Sequence, residues 1–214
     1  MRLRRARSKV RSYAEITGFV LAGGASRRMG RSKARLRLGP ETMLERQIRL
    51  LRAVCRSVAI LGPSEEYSGA AVPVFADEFP GRGPLAGLYT GLQYTRTEYN
   101  LFLRCDLPFM TVRFLGYLCR RALADEADVT VPKSRLRGFH PLSAVYRRRA
   151  LPAIRATLQA GENKVSRFFG RVGCRVVTTK EIVQAGFGLR IFDNMNTPED
   201  YERARRLLSC GYDW

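Results

Sequence analysis

A short apolar run containing Ile16, Phe19 and Val20 gives way within one residue to Leu-Ala-Gly-Gly-Ala-Ser-Arg-Arg-Met-Gly-Arg-Ser-Lys, residues 21 to 33. A strand that breaks this abruptly into paired glycines has few uses other than bringing backbone close to something. Gly23 and Gly24 permit close approach and positive φ, Ser26 adds a hydroxyl, and Arg28 and Lys33 add fixed positive charge. Converging backbone N–H groups with a nearby cation form an anion-binding concavity suited to a triphosphate. A Walker A loop is excluded, because Gly30 is followed by Arg31, and the dinucleotide fingerprint is excluded by the adjacent glycines. On residues alone, a basic strand-to-helix turn facing solvent is the competing reading.

The 214 residues suit a single domain, burying roughly 70% of the unfolded surface. No apolar stretch approaches the length of a membrane span. The formal charge is +19, from 38 basic side chains of which only five are lysine. Such a field attracts polyanions, yet no alternation of basic and aromatic residues suggests a base-stacking platform, so a nucleic-acid partner is not expected. Five scattered cysteines without a Cys-x-x-Cys pair, and a single histidine, argue against structural zinc and for a reducing, cytoplasmic setting. Residues 1–15, with six basic side chains and one acid, read as a solvated tail lacking an export signal, and residues 16–214 as one domain without repeats.

Along the chain, strand and helix patterns alternate. Leu44, Ile48, Leu51 and Val54 recur at helical spacing after Pro40 and Glu41; strands are expected at 57–61, 71–75, 129–131 and 140–146, and within 99–110 an apolar strand that delivers Asp106 at its carboxyl end. Further helices are expected at 84–94, 111–123, 151–158 and 165–169, with 175–178 extended. This pattern predicts an α/β fold, three-layer α/β/α and Rossmann-like, with a mainly parallel central sheet. Residues 77–83 are a Gly/Pro-rich loop, and Pro84 suits the first turn of the helix that follows. Asp106 stands at the carboxyl end of an apolar strand, the edge where open α/β sheets bind ligands. There a carboxylate serves either as a Mg²⁺ ligand beside a triphosphate or as a helix cap. Asp125, Glu126 and Asp128 read as a solvated turn, and Thr197-Pro198-Glu199-Asp200 as a helix start with Thr197 as N-cap.

Leu21 to Ala34 resembles the signature loop of the nucleotidyltransferases, most closely that of the molybdenum cofactor guanylyltransferases. Gly83-Pro84-Leu85-Ala86-Gly87, Cys105-Asp106-Leu107-Pro108-Phe109 and Asn194-Met195-Asn196-Thr197-Pro198-Glu199-Asp200 are similar to three further segments of that family. The resemblance spans about residues 16 to 208. It implies that Leu21, Ala22, Gly23, Gly24, Ser26, Lys33, Asp77, Gly83, Pro84, Leu85 and Asp106 hold the nucleotide. It also implies that Asp106 binds Mg²⁺ and that Arg28, Lys33 and Asp106 are catalytic. Asn194 and Asn196 become candidates for metal or phosphate contact, and His140 for the acceptor side, where Arg135 and Arg137 could meet an anion. The implied reaction joins GTP to a molybdopterin-type cofactor with release of pyrophosphate, among cofactor-delivery proteins and molybdoenzymes as possible partners. Leu-Ala-Gly-Gly in place of Leu-Ala-Ala-Gly, and Pro84-Leu85-Ala86-Gly87, favour guanine over cytosine within the superfamily. Ser32 and Arg104 depart from the family pattern, where an aspartate often precedes the lysine and an apolar residue precedes the cysteine. The alternatives are a relative using CTP or a sugar-phosphate or phospho-acid acceptor, a GTP-binding regulatory domain, or a basic nucleic-acid-binding protein. The expectation that carries the rest is that Gly24 and Asp106 face each other across one cleft.

Overall fold

The structure is a computed structural model that describes residues 12–23 and 32–209. Gly24, Ser26, Arg28 and most of the basic tail lie outside the described residues. The chain runs through β1 (Tyr13–Leu21), a hairpin of β2 (Arg37–Leu38) and β3 (Glu41–Thr42), α1 (Met43–Arg52), β4 (Cys55–Leu61), β5 (Val74–Phe75) and α2 (Pro84–Tyr94). It continues with β6 (Tyr99–Arg104), α3 (Val112–Leu123), β7 (Val129–Ser134), β8 (Gly138–Phe139) and β9 (Ser143–Arg147). α4 (Leu151–Gln159), β10 (Cys174–Val177), α5 (Thr179–Gln184) and α6 (Pro198–Ser209) complete it. Among the described residues no helix is long and apolar enough to cross a membrane.

The main sheet has the order β10-β7-β9-β6-β1-β4-β5, with β8 paired to β7. Neighbours are parallel except at β9, which runs against both β6 and β7, and at β8, which runs against β7. Period-two alternation builds the two outer layers. Ile16, Val20, Val58, Ile60, Leu101 and Leu103 point to one face and pack with Ile48 and Leu51 of α1, Leu115 and Leu118 of α3 and Ile182 of α5. Phe19, Ala59, Leu61 and Phe102 point to the other and pack with Leu85, Leu88 and Leu92 of α2 and Ile154 and Leu158 of α4. The three-layer α/β/α arrangement is therefore present.

Several local expectations change. β1 begins at Tyr13, so the sheet takes in three residues assigned to the tail. Pro40 belongs to the turn of the β2–β3 hairpin; α1 is started instead by a capping box, in which the Glu45 backbone N–H donates to Thr42 Oγ1 at 3.2 Å and the Thr42 N–H to Glu45 Oε2 at 2.6 Å. The strand expected at 71–75 is confined to Val74–Phe75, and 165–171 forms two 3₁₀ turns rather than an α-helix. The strand expected from His140 starts only at Ser143, because the Ser143 N–H donates to the His140 carbonyl at 3.0 Å and closes a turn there.

The sheet's winding reverses around β1. α1 leads from β1 to β4 on one flank, whereas α2, on the opposite face, returns the chain to β6 on the other. Leu21 is in register with both Leu61 and Arg104, so the carboxyl ends of β1, β4 and β6 stop at one level. A crevice outside such a reversal is the standard ligand position in open α/β sheets.

α2 lies close on the sheet through Gly91, where an added Cβ would stand 2.6 Å from Phe102 Cε1. Phe102 is fully buried between Phe19 and Tyr146, with ring centroids at 5.1 and 5.4 Å, and cannot retreat. Gly91→Ala is therefore expected to destabilise the fold by about 1–3 kcal/mol through overpacking, read as a lower urea midpoint at unchanged slope.

Candidate active site

A cavity of about 530 Å³ opens at the aligned strand ends. Leu21, Ala22 and Gly23 from the end of β1, Lys33 from the turn that follows, Asp77, Gly83 and Pro84 from the loop before α2, and Asp106 from the end of β6 all line it. Gly23 and Asp106 thus share one cleft, while Gly24, named for the same role, falls outside the described residues. Gly23 does not take positive φ, contrary to expectation, and a Cβ there would meet Asp77 Oδ2 only at 3.6 Å, ordinary van der Waals contact. The glycines of this cavity that need their freedom are Gly81, with φ of 78°, and Gly83, with φ of 69°, the latter capping α2 without a side chain. The positive end of the α2 dipole is thereby presented to the cleft. Leu85 does not line the cavity; it is wholly buried in the core under α2.

Asp106 is 5% exposed. Its Oδ2 accepts a 2.6 Å hydrogen bond from the Arg104 guanidinium and lies 3.6 Å from Lys33 Nζ. Lys33 Nζ also donates to Asn196 Oδ1 at 2.6 Å. The Met195 N–H donates to the Asp106 carbonyl at 2.9 Å, tying the segment before α6 to the end of β6. Asp106 Oδ1 is buried and has no hydrogen-bond partner among the described residues. Asp77, half-buried on the other side of the cavity, has its carboxyl pKa raised by burial. Neighbouring Cys105 is a packing residue: burial first, and then the Asp106 charge, push its thiol up to about 12, far from a thiolate.

A second cavity of about 280 Å³ adjoins the first and shares Arg104 and Leu142 with it. His140 and Asn194 line this one, with Arg137, whose guanidinium donates to Asn194 Oδ1 at 2.7 Å and to Asp193 Oδ1 at 3.2 Å. The His140 ring stacks on Phe192 at 3.8 Å, and its Nε2 is 2.8 Å from Ser134 Oγ. Burial, followed by the positive charges of Arg104 and Arg137, lowers its pKa to about 4, so the imidazole is neutral near pH 7. A larger groove of about 870 Å³ between α1 and residues 65–71 holds none of the residues expected to act.

Among the described residues no three His, Cys, Asp or Glu side chains come together, so no closed metal cage exists there. One carboxylate with an unpartnered buried oxygen beside a cavity fits instead a Mg²⁺ ion whose other ligands are phosphate oxygens and water. The residue that the sequence left without a role is Arg104. Its only signal there was a charged side chain ending an otherwise apolar strand.

A model of the MobA-like NTP transferase domain matches residues 18–176. The chain belongs to this family. It is 31% identical over 194 residues to a probable molybdenum cofactor guanylyltransferase of Carboxydothermus hydrogenoformans, covering 91% of this chain and 97% of the relative. To a probable molybdenum cofactor guanylyltransferase of Opitutus terrae it is 38% identical over 200 residues, covering 89% and 95%. The fold superimposes on the crystal structure of molybdopterin-guanine dinucleotide biosynthesis protein A from Archaeoglobus fulgidus with a TM-score of 0.79 at 22% identity, covering 91% of this chain and 99% of that one. The protein is a nucleotidyltransferase. Asn196 lies beyond the matched domain yet holds Lys33, so the segment before α6 completes the site.

The single histidine makes its environment directly observable. In a proton NMR titration the His140 signal should move with a midpoint near 4 rather than 6.5. The unfolded chain then protonates first, so the stability difference is absent above about pH 6.5 and grows as pH falls towards 4. Thermal melts of His140→Gln should lose less stability over that interval than those of the parent. A midpoint near 6.5 would contradict the buried, cation-flanked setting.

Proposed function

We propose that the protein transfers GMP from GTP to a molybdopterin-type cofactor, producing the guanine dinucleotide form and pyrophosphate in the cytoplasm. The observation that carries this reading is the meeting of Lys33, Asp106 and Arg104 at the boundary between two adjoining cavities, at the carboxyl ends of β1 and β6. The larger cavity takes the nucleotide. The smaller one, with Arg137 and a neutral His140 on its wall, takes the phosphate-bearing end of the acceptor. The substrate identities follow from the names of the relatives at 31% and 38% identity. Delivery of the acceptor and removal of the product fall to other proteins of the same biosynthesis and to molybdoenzymes.

In this reaction an oxygen of the acceptor phosphate attacks the α-phosphorus and pyrophosphate leaves in line. Two anions must be brought together, so the protein's contribution is position and charge. Lys33, held by Asn196, offsets the charge of the triphosphate as the leaving group separates, with Arg28 assigned to the same task by its place in the motif. Mg²⁺, held by Asp106 together with phosphate oxygens, would supply further neutralisation and orientation when bound. Asp77 and the backbone at Gly83 and Pro84 hold the nucleotide at the opposite wall.

The test is pyrophosphate release from each of the four NTPs with Mg²⁺ and molybdopterin. GTP should be turned over best; equal or faster use of CTP would overturn the guanine assignment. Asp106→Ala and Lys33→Ala should each lose about two to three decades of turnover, about 3–4 kcal/mol of transition-state stabilisation, while keeping a native circular dichroism spectrum. Near-normal turnover by a folded variant would remove that residue from the mechanism.

A further inference from the structure

Arg104 is the last residue of β6, following Leu101, Phe102 and Leu103, all fully buried. Its side chain is 36% exposed and lines both cavities, and its guanidinium makes the shorter of the two ion pairs to Asp106 Oδ2, at 2.6 Å against 3.6 Å for Lys33. Lys33 has a second anchor in Asn196, whereas the bond that Arg104 makes at Asp106 is to the carboxylate through which the proposed metal would be held. A divalent cation at the unpartnered Oδ1 would draw on the same single negative charge that holds Arg104 at Oδ2, so the ion weakens the pair without needing its oxygen. The wall at which Arg104 stands is shared with the second cavity, which Arg137 also lines, so a guanidinium loosened from Asp106 has an anion-binding cavity within its reach. A planar fork of donors is suited to the bidentate grip of a phosphate.

We propose that Arg104 is an acceptor-binding residue held in reserve by Asp106. It pairs with the carboxylate while the nucleotide site is empty and passes to the phosphate of the acceptor once magnesium-nucleotide occupies Asp106. Donor binding thereby prepares the acceptor site, and the two substrates bind with positive coupling. This rests on the two-substrate reading above and deepens it. The acceptor class it specifies is a phosphomonoester, whose dianionic group reaches the boundary between the cavities.

The parent protein, Arg104→Leu and Arg104→Lys are compared in two binding measurements. In the first, Mn²⁺ is titrated without nucleotide and free ion is read by electron paramagnetic resonance. Loss of the competing guanidinium should tighten Mn²⁺ binding by about fivefold or more in Arg104→Leu. In the second, molybdopterin affinity is measured by equilibrium dialysis with and without Mg²⁺ and a non-hydrolysable GTP analogue. The analogue should raise affinity about tenfold in the parent, within the usual range of coupling between sites. It should do so little in Arg104→Leu and partly in Arg104→Lys, while affinity for the Mg²⁺-bound analogue itself rises, as Mn²⁺ affinity does, rather than falls. Unchanged Mn²⁺ affinity, or coupling that survives in Arg104→Leu, overturns the proposal, as does equal weakening of both substrates. Pyrophosphate release by the parent reports separately on the reaction. Intact coupling without release sinks the transfer reaction and leaves the Arg104 assignment; release without coupling does the reverse.

Discussion

A carboxylate that is 5% exposed must be met by cations or hydrogen bonds, because an unpaired buried charge is too costly to keep. Asp106 meets this constraint with groups from separate parts of the chain: Arg104 from its own strand, and Lys33 from the turn after β1. Lys33 is in turn steadied by Asn196, and the Asp106 carbonyl receives the Met195 N–H. The end of β6, the residues after the glycine loop and the start of the last helix are consequently locked to one another around a single charge. The same pairing leaves Oδ1 unsatisfied, so the carboxylate is stabilised in place without being used up. A folded site that was electrostatically complete would have nothing to offer a ligand.

The sheet sets where this charge sits. Parallel β4, β1 and β6 end in register, and Gly62, just past β4, lets the chain pass close to the end of β1: a Cβ there would lie 3.2 Å from the Ala22 carbonyl carbon and 3.1 Å from the Tyr67 ring. The Tyr67 hydroxyl then donates to the Ala22 carbonyl at 3.1 Å, holding the entrance to the loop. On the far side of β6 the reversed strand β9 has a different consequence. Running antiparallel, it starts at the edge where β6 ends, with Leu103 opposite Ser143. The turn from His140 to Leu142 is delivered to that edge, so a second cavity forms beside the first. The strand that breaks the parallel pattern in the middle of the sheet is thus the one that opens a second cavity.

The parts of this site legible in the sequence are those set by local chemistry. Asp106 could be placed beside a strand's carboxyl end by the apolar run before it, although its choice as a ligand rather than a cap comes from the family resemblance; Pro84 could be placed because it suits a helix start, and Thr197 because a hydroxyl precedes proline and two acids, its Oγ1 accepting the Asp200 N–H at 3.2 Å. Features set by tertiary contact were not legible. α5 is six residues long, too short for a helical period to show, and is started by a capping box between Thr178 and Glu181. Leu85 shares a motif with ligand-facing backbone, yet its side chain answers to the core. Gly23 has the residue type of a left-handed turn but does not take positive φ, which Gly81 and Gly83 carry instead. For Arg104, the sequence shows a charge out of place but not the carboxylate two residues on that receives it, since strand alternation alone does not say which cavities its long side chain will border.

The large positive charge also looks different once the acids are located. Many acidic side chains meet more than one arginine: Glu41 takes Arg46 and Arg49, Glu126 takes Arg147 and Arg149, and Glu181 takes Arg121 and Arg175. With 38 basic residues against 19 acids, double pairing is what composition favours, and Asp106 between Lys33 and Arg104 follows the same rule. What separates Asp106 from the rest is position. Pairs near the surface are screened by water and contribute about 0–1 kcal/mol each, so rearranging them changes little. The Asp106 cluster lies where two cavities meet, and there exchange of one partner for another alters the charge that an entering anion encounters. The excess arginine elsewhere supplies a broad, salt-sensitive attraction for anions, but among the described residues only at Asp106 does the surplus cation stand beside a carboxylate whose spare oxygen is buried and unpartnered.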